Sequence, residues 1–141
     1  MKRLLLLTVV VIVSVLTFSS CSKYEEGPAI SFRTKAARVA NEWVVDKAYD
    51  NGVEVNVSLY NGHILKLEKD GSGTITYPLI GTSDIQWEFN DSKEKIRTRS
   101  KDILGNWNEW KDEDFVTILK LKNDEFWTKD KDNDEIHYKT K

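Results

Sequence analysis

The sequence predicts an all-β domain, folded as one antiparallel up-and-down β-barrel of about eight strands behind a cleaved leader. Apolar and polar residues alternate with period two over many short stretches, which indicates half-buried strands. Tight connections separate these stretches, and parallel pairing would need crossovers of about a dozen residues that the chain does not contain. Closure into a barrel is favoured because it leaves no strand with an unpaired edge.

The first 20 residues have the pattern of a signal peptide. Lys2 and Arg3 are followed by an apolar run from Leu4 to Leu16, which as a helix would span only ~20 Å of a ~30 Å bilayer core. Cys21 is the only cysteine and follows Ser19 and Ser20. This arrangement resembles a bacterial lipobox, so we expect acylation of Cys21 and cleavage before it. The alternative is an ordinary secretory leader with an incidental free cysteine.

The residues after Cys21 predict a tether and an export signal. Lys23, Glu25 and Glu26 resemble the surface-export signal of Bacteroidetes lipoproteins, although any tether must also be polar to remain solvated. We expect residues 21–30 to form a lipidated tether and residues 31–141 to form the barrel domain. Acyl chains such as palmitate would hold the protein on the outer membrane, at the cell surface.

One short helix and a series of hairpins are expected in the domain. Residues 31–40 suit a short amphipathic helix with Ser31 as its cap, placed to plug one end of the barrel. The valines and leucine of residues 53–59 alternate strictly with polar residues and predict a strand. Lys69-Asp70-Gly71 predicts a hairpin turn. Further strands are expected at 115–121, 125–129 and 135–139.

Alternation also predicts which side chains face the barrel interior. The expected inward set contains Trp43, Val45, Leu65, Leu67, Ile75, Tyr77, Ile85, Trp87, Phe89, Ile96, Leu119 and Leu121. An eight-stranded barrel is just wide enough for side chains or one small ligand. Because this set is rich in large rings, it favours a largely filled interior.

Composition excludes several classes of function. The chain has 21 Lys and Arg against 23 Asp and Glu, so we expect no nucleic-acid partner. It has one cysteine and two histidines, His63 and His137, in no metal-binding or catalytic frame, and alternation places His137 on the solvent side. Acids alternate in 130–135, but the glycine of a calcium loop is missing. We therefore expect neither an enzyme nor a cofactor.

Trp107 and Trp110 are the candidate binding residues. They lie three residues apart in the one long connection, about 101–113, and would share a face on a helical turn. They are interpreted either as a recognition platform for a ligand or partner protein, or as core residues that close the barrel end. Arg97, Arg99 and Lys101, with Lys93 and Lys95, form a basic stripe that is interpreted either as a surface for headgroups or an acidic partner, or as a solvated strand face.

Several of these features together are similar to a known family. The first features are a helical turn before Asn41-Glu42-Trp43 and, after it, a Lys-Asp-Gly hairpin. The later features are Trp87-Glu88-Phe89 and the stretch from Ile118 to Leu121, which is followed by Asn123-Asp124-Glu125-Phe126. Over about residues 31–140 this resembles the lipocalin-like lipoproteins of Bacteroidetes. The resemblance implies an eight-stranded barrel with a binding role, and it adds Trp43 to the candidate binding residues. We expect a small apolar or amphipathic ligand; the alternative is an accessory subunit that docks on an outer-membrane protein complex.

Overall fold

The computed structural model describes residues 33–141. This part of the chain holds one short α-helix, two 3-10 turns and nine strands. The elements are α1 (Lys35–Val39), β1 (Glu42–Asp50), β2 (Val53–Val55), a first 3-10 turn (Val57–Tyr60), β3 (Ile64–Leu67), β4 (Ser72–Tyr77), β5 (Gly81–Phe89), β6 (Lys95–Ser100), a second 3-10 turn (Asp112–Asp114), β7 (Val116–Leu121), β8 (Glu125–Lys129) and β9 (Glu135–Thr140).

The strands form a closed, eight-stranded antiparallel barrel, as the sequence predicts. Neighbours along the chain pair from β3 to β9, and β1 closes the ring by pairing with β3 on one side and β9 on the other. The three-residue β2 is an addition to this ring, because it pairs only with the far end of β1. Closure removes the free edges that an open sheet of this size would leave.

The barrel has two unlike ends. The closed end carries α1 and the short turns 68–71, 90–94 and 122–124. The open end carries the β1–β2 turn, the β4–β5 turn, the loop 101–115 and the β8–β9 turn. All connections at the closed end are short, whereas the longest loop of the described chain lies at the open end.

Helix α1 plugs the closed end, which was the expected role of this segment. The N-cap is Thr34, whose side chain accepts a hydrogen bond from the backbone N–H of Ala37 at 3.1 Å. Ser31, the expected cap, lies outside the described residues. Val39 is completely buried, and its carbonyl accepts a hydrogen bond from Trp43 Nε1 at 2.8 Å. The helix is therefore joined to the first strand through the indole of Trp43.

Large side chains fill the half of the barrel next to the closed end, which we call the lower half. Trp43 packs on Phe126 with ring centroids 5.6 Å apart, and Trp87 meets Phe89 edge to face at 5.2 Å. Trp87 Nε1 donates to the carbonyl of Glu68 at 2.9 Å, so this buried ring keeps its hydrogen bond. The buried core contains Val39, Trp43, Leu67, Ile85, Trp87, Ile96, Ile118, Leu121 and Phe126.

Two strand predictions are wrong in detail. The alternating stretch 53–59 forms a strand only at Val53–Val55, because the side chain of Asn56 accepts a hydrogen bond from Ser58 N–H and starts a 3-10 turn. Val53 is 68% exposed and Leu59 is 83% exposed, so this alternation faces solvent rather than the core. A β-bulge in β7 shifts the register there, so Leu119 is half-buried and Ile118 takes its expected interior place.

Candidate functional site

The upper half of the barrel, which is the half next to the open end, contains a cavity of about 550 Å³ that reaches that end. Such a volume lies within the ~300–1,000 Å³ range of small-molecule sites. The lining side chains of the barrel wall are mostly apolar: Ala48, Val55, Leu65, Leu67, Ile75, Ile96, Val116, Phe126 and Ile136. The expectation of a largely filled interior therefore holds for the lower half of the barrel and is wrong for the upper half.

Small inward side chains create this cavity. Ala48, Thr98 and Thr128 line the upper wall, where the lower wall carries indole and phenyl rings. Thr98 lies opposite Trp87 in the β5–β6 ladder and so shares its inward face, yet Thr98 is exposed whereas Trp87 is buried. Both positions obey the same alternation, and only the side-chain volume differs.

Weak pairing between β6 and β7 also opens the upper half. The two strands share only two residue pairs, Lys95 with Thr117 and Ile96 with Val116. Beyond Ile96 the chain leaves β7 and returns through the long loop 101–115. Thr98 and Asp114 line the cavity where the ladder has ended.

Two tyrosine side chains bring polar groups to the cavity wall. Tyr138 of β9 and Tyr60 of the first 3-10 turn both line it, and they also line an adjoining cavity of about 170 Å³. Burial raises the pKa of the Tyr138 phenol to about 12, with a smaller contribution from Tyr60. Within residues 33–141 no hydrogen-bond partner exists for either hydroxyl. A bound molecule can therefore supply an acceptor that the protein lacks.

Four aspartates surround the mouth of the cavity, and we call them the acidic arc: Asp50, Asp114, Asp130 and Asp134. Asp130 Oδ1 accepts from the N–H groups of Asp132 and Asp134 at 2.9 Å, and Asp134 Oδ1 accepts from Asn51 N–H at 3.2 Å. These bonds fix the carboxylates of Asp130 and Asp134 in the β8–β9 turn. Within the described chain none of the four forms an ion pair.

Exposed aliphatic side chains occupy two turn tips at the same end, and we call them the apolar rim: Leu79, Ile80, Ile103 and Leu104. Their exposed fractions run from 81% for Leu104 to 102% for Ile103. The second tip is ordered, because Asp102 Oδ1 accepts from the N–H groups of Leu104 at 2.8 Å and Asn106 at 2.9 Å. These hydrogen bonds, that of Asn106 first, hold the pKa of Asp102 below its usual value.

Trp107 and Trp110 lie on the outer face of the barrel, against β6. Neither residue belongs to a helical turn, and neither closes the barrel end. Trp110 packs between two guanidinium groups, with Arg99 4.5 Å and Arg97 5.1 Å from its ring centroid. Trp107 packs on Arg99 at 5.6 Å and on Lys101 at 5.0 Å. We call this stack of alternating rings and cations the outer ladder.

The outer ladder accounts for the basic stripe of β6. Arg97 also bonds to Glu88 at 2.6 Å and Asp112 at 3.0 Å, and its side chain is only 13% exposed. Arg99 donates to the Gln86 side chain through Nε at 2.8 Å. The interpretation of the stripe as a solvated strand face is therefore wrong for Arg97 and Arg99, which the loop covers, whereas Lys93, Lys95 and Lys101 are exposed as that interpretation expects. Trp107 also lines a shallow outer groove of about 340 Å³ beside Thr74.

Trp43, the third candidate, has no exposed surface. Its ring takes part in the core at the closed end and also lines the smaller, 170 Å³ cavity with Val45, His63 and Tyr77. The structure brings Trp43 close to Tyr138 and Tyr60 through that shared cavity, and it places Trp107 and Trp110 elsewhere. The three predicted binding residues do not form one site.

His137 points outward, as alternation predicts, yet only 9% of it is exposed. The ring stacks on Trp127 with centroids 3.9 Å apart, and Tyr49 covers it at 4.9 Å. Its Nε2 lies 3.1 Å from Glu135 Oε2. Burial raises the pKa of Glu135, but hydrogen bonds from Lys129 and His137 outweigh it and lower the pKa overall. Sequence reasoning missed this cover because it treats each strand separately.

The residues that carry the chemistry of the cavity were also missed. Tyr60, Tyr138 and the acidic arc belong to different strands and turns, so no spacing along the chain joins them. Tyr138 lies on the inward side of the predicted last strand, and that position was the available signal. Cys21, Lys23, Glu25 and Glu26 lie outside the described residues, and their assignments stay predictions.

Comparison with protein-family models, with curated proteins and with solved structures gives no match to this chain. The resemblance to lipocalin-like lipoproteins therefore stays a prediction, and the fold rests on the barrel itself. Within residues 33–141 no three His, Cys, Asp or Glu side chains converge as a metal site. The same part of the chain contains no helix with the length and apolar character needed to cross a bilayer.

Proposed function

We propose that this protein is a lipid-anchored binding protein that holds a small apolar or amphipathic molecule in the open end of its barrel. The observation that carries the proposal is the 550 Å³ cavity with its apolar wall and open mouth. Burial of apolar surface provides ~25 cal/mol per Å², so a ligand of this size gains enough to bind without a catalytic or metal group. The proposed role is binding rather than catalysis.

The direction of the mouth supports this role on a membrane. The described chain starts at the closed end, where Arg33 donates to Asn123 Oδ1 at 3.3 Å. A tether attached there to acylated Cys21 joins the barrel at the end opposite the mouth, so the attachment does not block the mouth. Twelve residues, 21–32, reach at most about 40 Å when extended. The proposed location is the outer surface of the outer membrane, with Lys23, Glu25 and Glu26 as the export signal.

Filling the cavity tests ligand binding directly. Thr98→Phe places a ring in the cavity from a position that is exposed to it. We expect this variant to lose the fluorescence enhancement of the apolar dye N-phenyl-1-naphthylamine, which the native protein should give. Thr117→Phe is the matched control, because Thr117 pairs with outward Lys95 and Lys129. Equal dye binding by the two variants would contradict the proposal.

The membrane anchor has its own test. Cys21→Ala should abolish acylation, and mass spectrometry of the mature N-terminus should find diacylglycerol and fatty acid on Cys21 of the native protein only. Replacement of Glu25 and Glu26 by alanine should remove the protein from the cell surface, measured by protease treatment of intact cells. An unmodified Cys21, or native protein that is shielded from protease, would disprove the respective assignment.

The apolar rim favours a second candidate function, an accessory subunit that docks on an outer-membrane protein complex. Single exposed aliphatic residues are ordinary, but four of them on two turn tips at one end of the barrel are of the kind that marks interaction sites. Changing Leu79, Ile80, Ile103 and Leu104 to serine should then abolish cross-linking to an integral outer-membrane protein. The same variant should retain dye binding, which separates docking from ligand capture.

A further inference from the structure

The walls and the mouth of the cavity differ in chemistry. Most side chains of the floor and walls are aliphatic or aromatic, with Thr98 and Thr128 among them, whereas the mouth carries the four carboxylates of the acidic arc. Asp50 and Asp134 are joined through Asn51, whose side chain donates to Asp50 Oδ1 at 3.0 Å and whose backbone N–H donates to Asp134 Oδ1. Asp114 comes from the other side of the mouth, directly before β7. Negative charge thus enters the mouth from three chain segments.

The basic groups near this mouth do not neutralise the acidic arc. Arg97 lines the cavity, but its guanidinium is bound on the outer face by Glu88 and Asp112. Lys129 bonds to Glu135 at 2.9 Å on the outer face of β8 and β9. Lys131, at the exposed tip of the β8–β9 turn, forms no ion pair with the arc in the described chain. The four carboxylates outnumber this lysine, so the formal charge around the mouth is negative.

Deeper in the cavity the polar groups are neutral. The hydroxyls of Tyr60 and Tyr138 have no partner in the described chain and face a volume that only a ligand or solvent can fill. Each can donate one hydrogen bond. A molecule that fits this site is apolar for most of its length and offers an acceptor inside the barrel. The charged end of such a molecule lies at the mouth, beside the carboxylates of the acidic arc.

We propose that the ligand is an amphipathic amine or quaternary ammonium compound, with its apolar part in the barrel and its cationic group at the acidic arc. This inference rests on the proposed ligand binding and adds the sign of the ligand's charge. A focused field of this kind discriminates between cationic and anionic molecules of the same shape. The four carboxylates surround an opening, which suits a bulky organic cation.

Three probes of equal chain length test the charge of the ligand: dodecyltrimethylammonium, dodecanol and dodecanoate. Their binding to the full chain is measured by native mass spectrometry from neutral-detergent micelles. We expect the cationic probe to bind about ten-fold more tightly than dodecanol, and dodecanoate to bind about ten-fold more weakly. The preference should decrease as salt is added, because salt screens charges at an exposed mouth.

Charge-neutral variants connect this preference to the arc. Asp50→Asn with Asp114→Asn should abolish the preference while dodecanol binding stays unchanged. The matched control is Asp91→Asn with Asp124→Asn, which removes two charges from turns at the closed end. If no probe binds, the proposed function itself fails. If all three probes bind equally, or if both double variants behave alike, ligand binding stands and the cationic ligand is disproved.

Discussion

Side chains alternate between inward and outward positions in the same way at both ends of this barrel, but the closed end is filled and the open end contains a cavity. At the closed end, inward positions hold Trp43, Phe126 and Leu121, and α1 covers them with Val39. At the open end, inward positions hold Ala48, Thr98 and Thr128, and a cavity remains. Alternation sets which face a side chain occupies, whereas side-chain volume sets whether that face encloses a core or a site.

Dense packing and open space are therefore separated along the barrel axis. The closed end holds the contact of Trp43 with Phe126, and the indole N–H groups of Trp43 and Trp87 both donate hydrogen bonds to backbone carbonyls. The upper half contributes less packing and retains groups without partners. Substitutions in the two halves and on the outer face should differ in what they change, and four experiments test this division.

Trp43→Ala should have the largest effect. The ring is completely buried and joins β1, α1 and Phe126, so its removal should cost about 3–5 kcal/mol of unfolding free energy. A domain of this size has only about 5–15 kcal/mol in total. Thr98→Ala, at an inward position of the open end, should cost less than about 1 kcal/mol. Denaturant unfolding measures both, and similar losses would show that the ends do not differ.

High pH should destabilise the barrel through Tyr138. The pKa of this phenol is about 12 in the folded state against 10.0 for the unperturbed group. Between these values the unfolded chain loses a proton that the folded protein keeps, so stability should decrease as pH rises from 10 to 12. The loss attributable to Tyr138 should be at most about 3 kcal/mol. Tyr138→Phe should remove this part of the pH slope in unfolding experiments and leave stability at pH 7 nearly unchanged.

Trp110→Ala tests the outer ladder. Removal of the ring takes away contacts with Arg97 and Arg99, and each such contact contributes about 0.5–1 kcal/mol at a partly exposed site. We expect a loss of about 1–2 kcal/mol in thermal or denaturant unfolding and unchanged dye binding. Glu109→Ala, at the exposed neighbouring position, is the control. A binding defect without a change in stability would restore Trp110 as a recognition residue.

Substitutions in the apolar rim should have the smallest effect on stability. Leu79→Ser and Ile103→Ser replace side chains that are almost fully exposed, so each should change the unfolding free energy by less than about 0.5 kcal/mol. Solubility and self-association, measured by sedimentation velocity, should respond more than the melting temperature does. A large loss of stability would show that the rim packs on the barrel.

The fold could be predicted from the sequence because strands and turns are local. Lys69-Asp70-Gly71 does join β3 to β4, and Trp87 and Phe89 do face inward with Glu88 outward. Local patterns fail where a side chain competes with the ladder, as Asn56 does, or where a bulge inserts a residue, as in β7. Neither event changes the composition of the segment, so the alternation count does not reveal it.

The site could be predicted only in outline. The long loop and its tryptophans were recognisable, but their contact with β6 depends on Arg97 and Arg99, which precede them in the chain. The cavity exists because inward side chains are small on several strands at once, and no single stretch of sequence shows this. Tyr60 and Asp114 line the same cavity only because the strands close into a barrel.

The two-pair ladder between β6 and β7 gives the barrel a seam. Every other pairing within the closed ring except that of β1 with β3 has at least four registered pairs. Cooperative units of a protein open in order of their local stability, so sub-global opening should begin at one of these two short ladders. If it begins between β6 and β7, the amide hydrogens of β6 that point away from β5 should exchange with solvent sooner than those of β8 and β9. Such an opening would connect the cavity to solvent through the barrel wall as well as through the mouth.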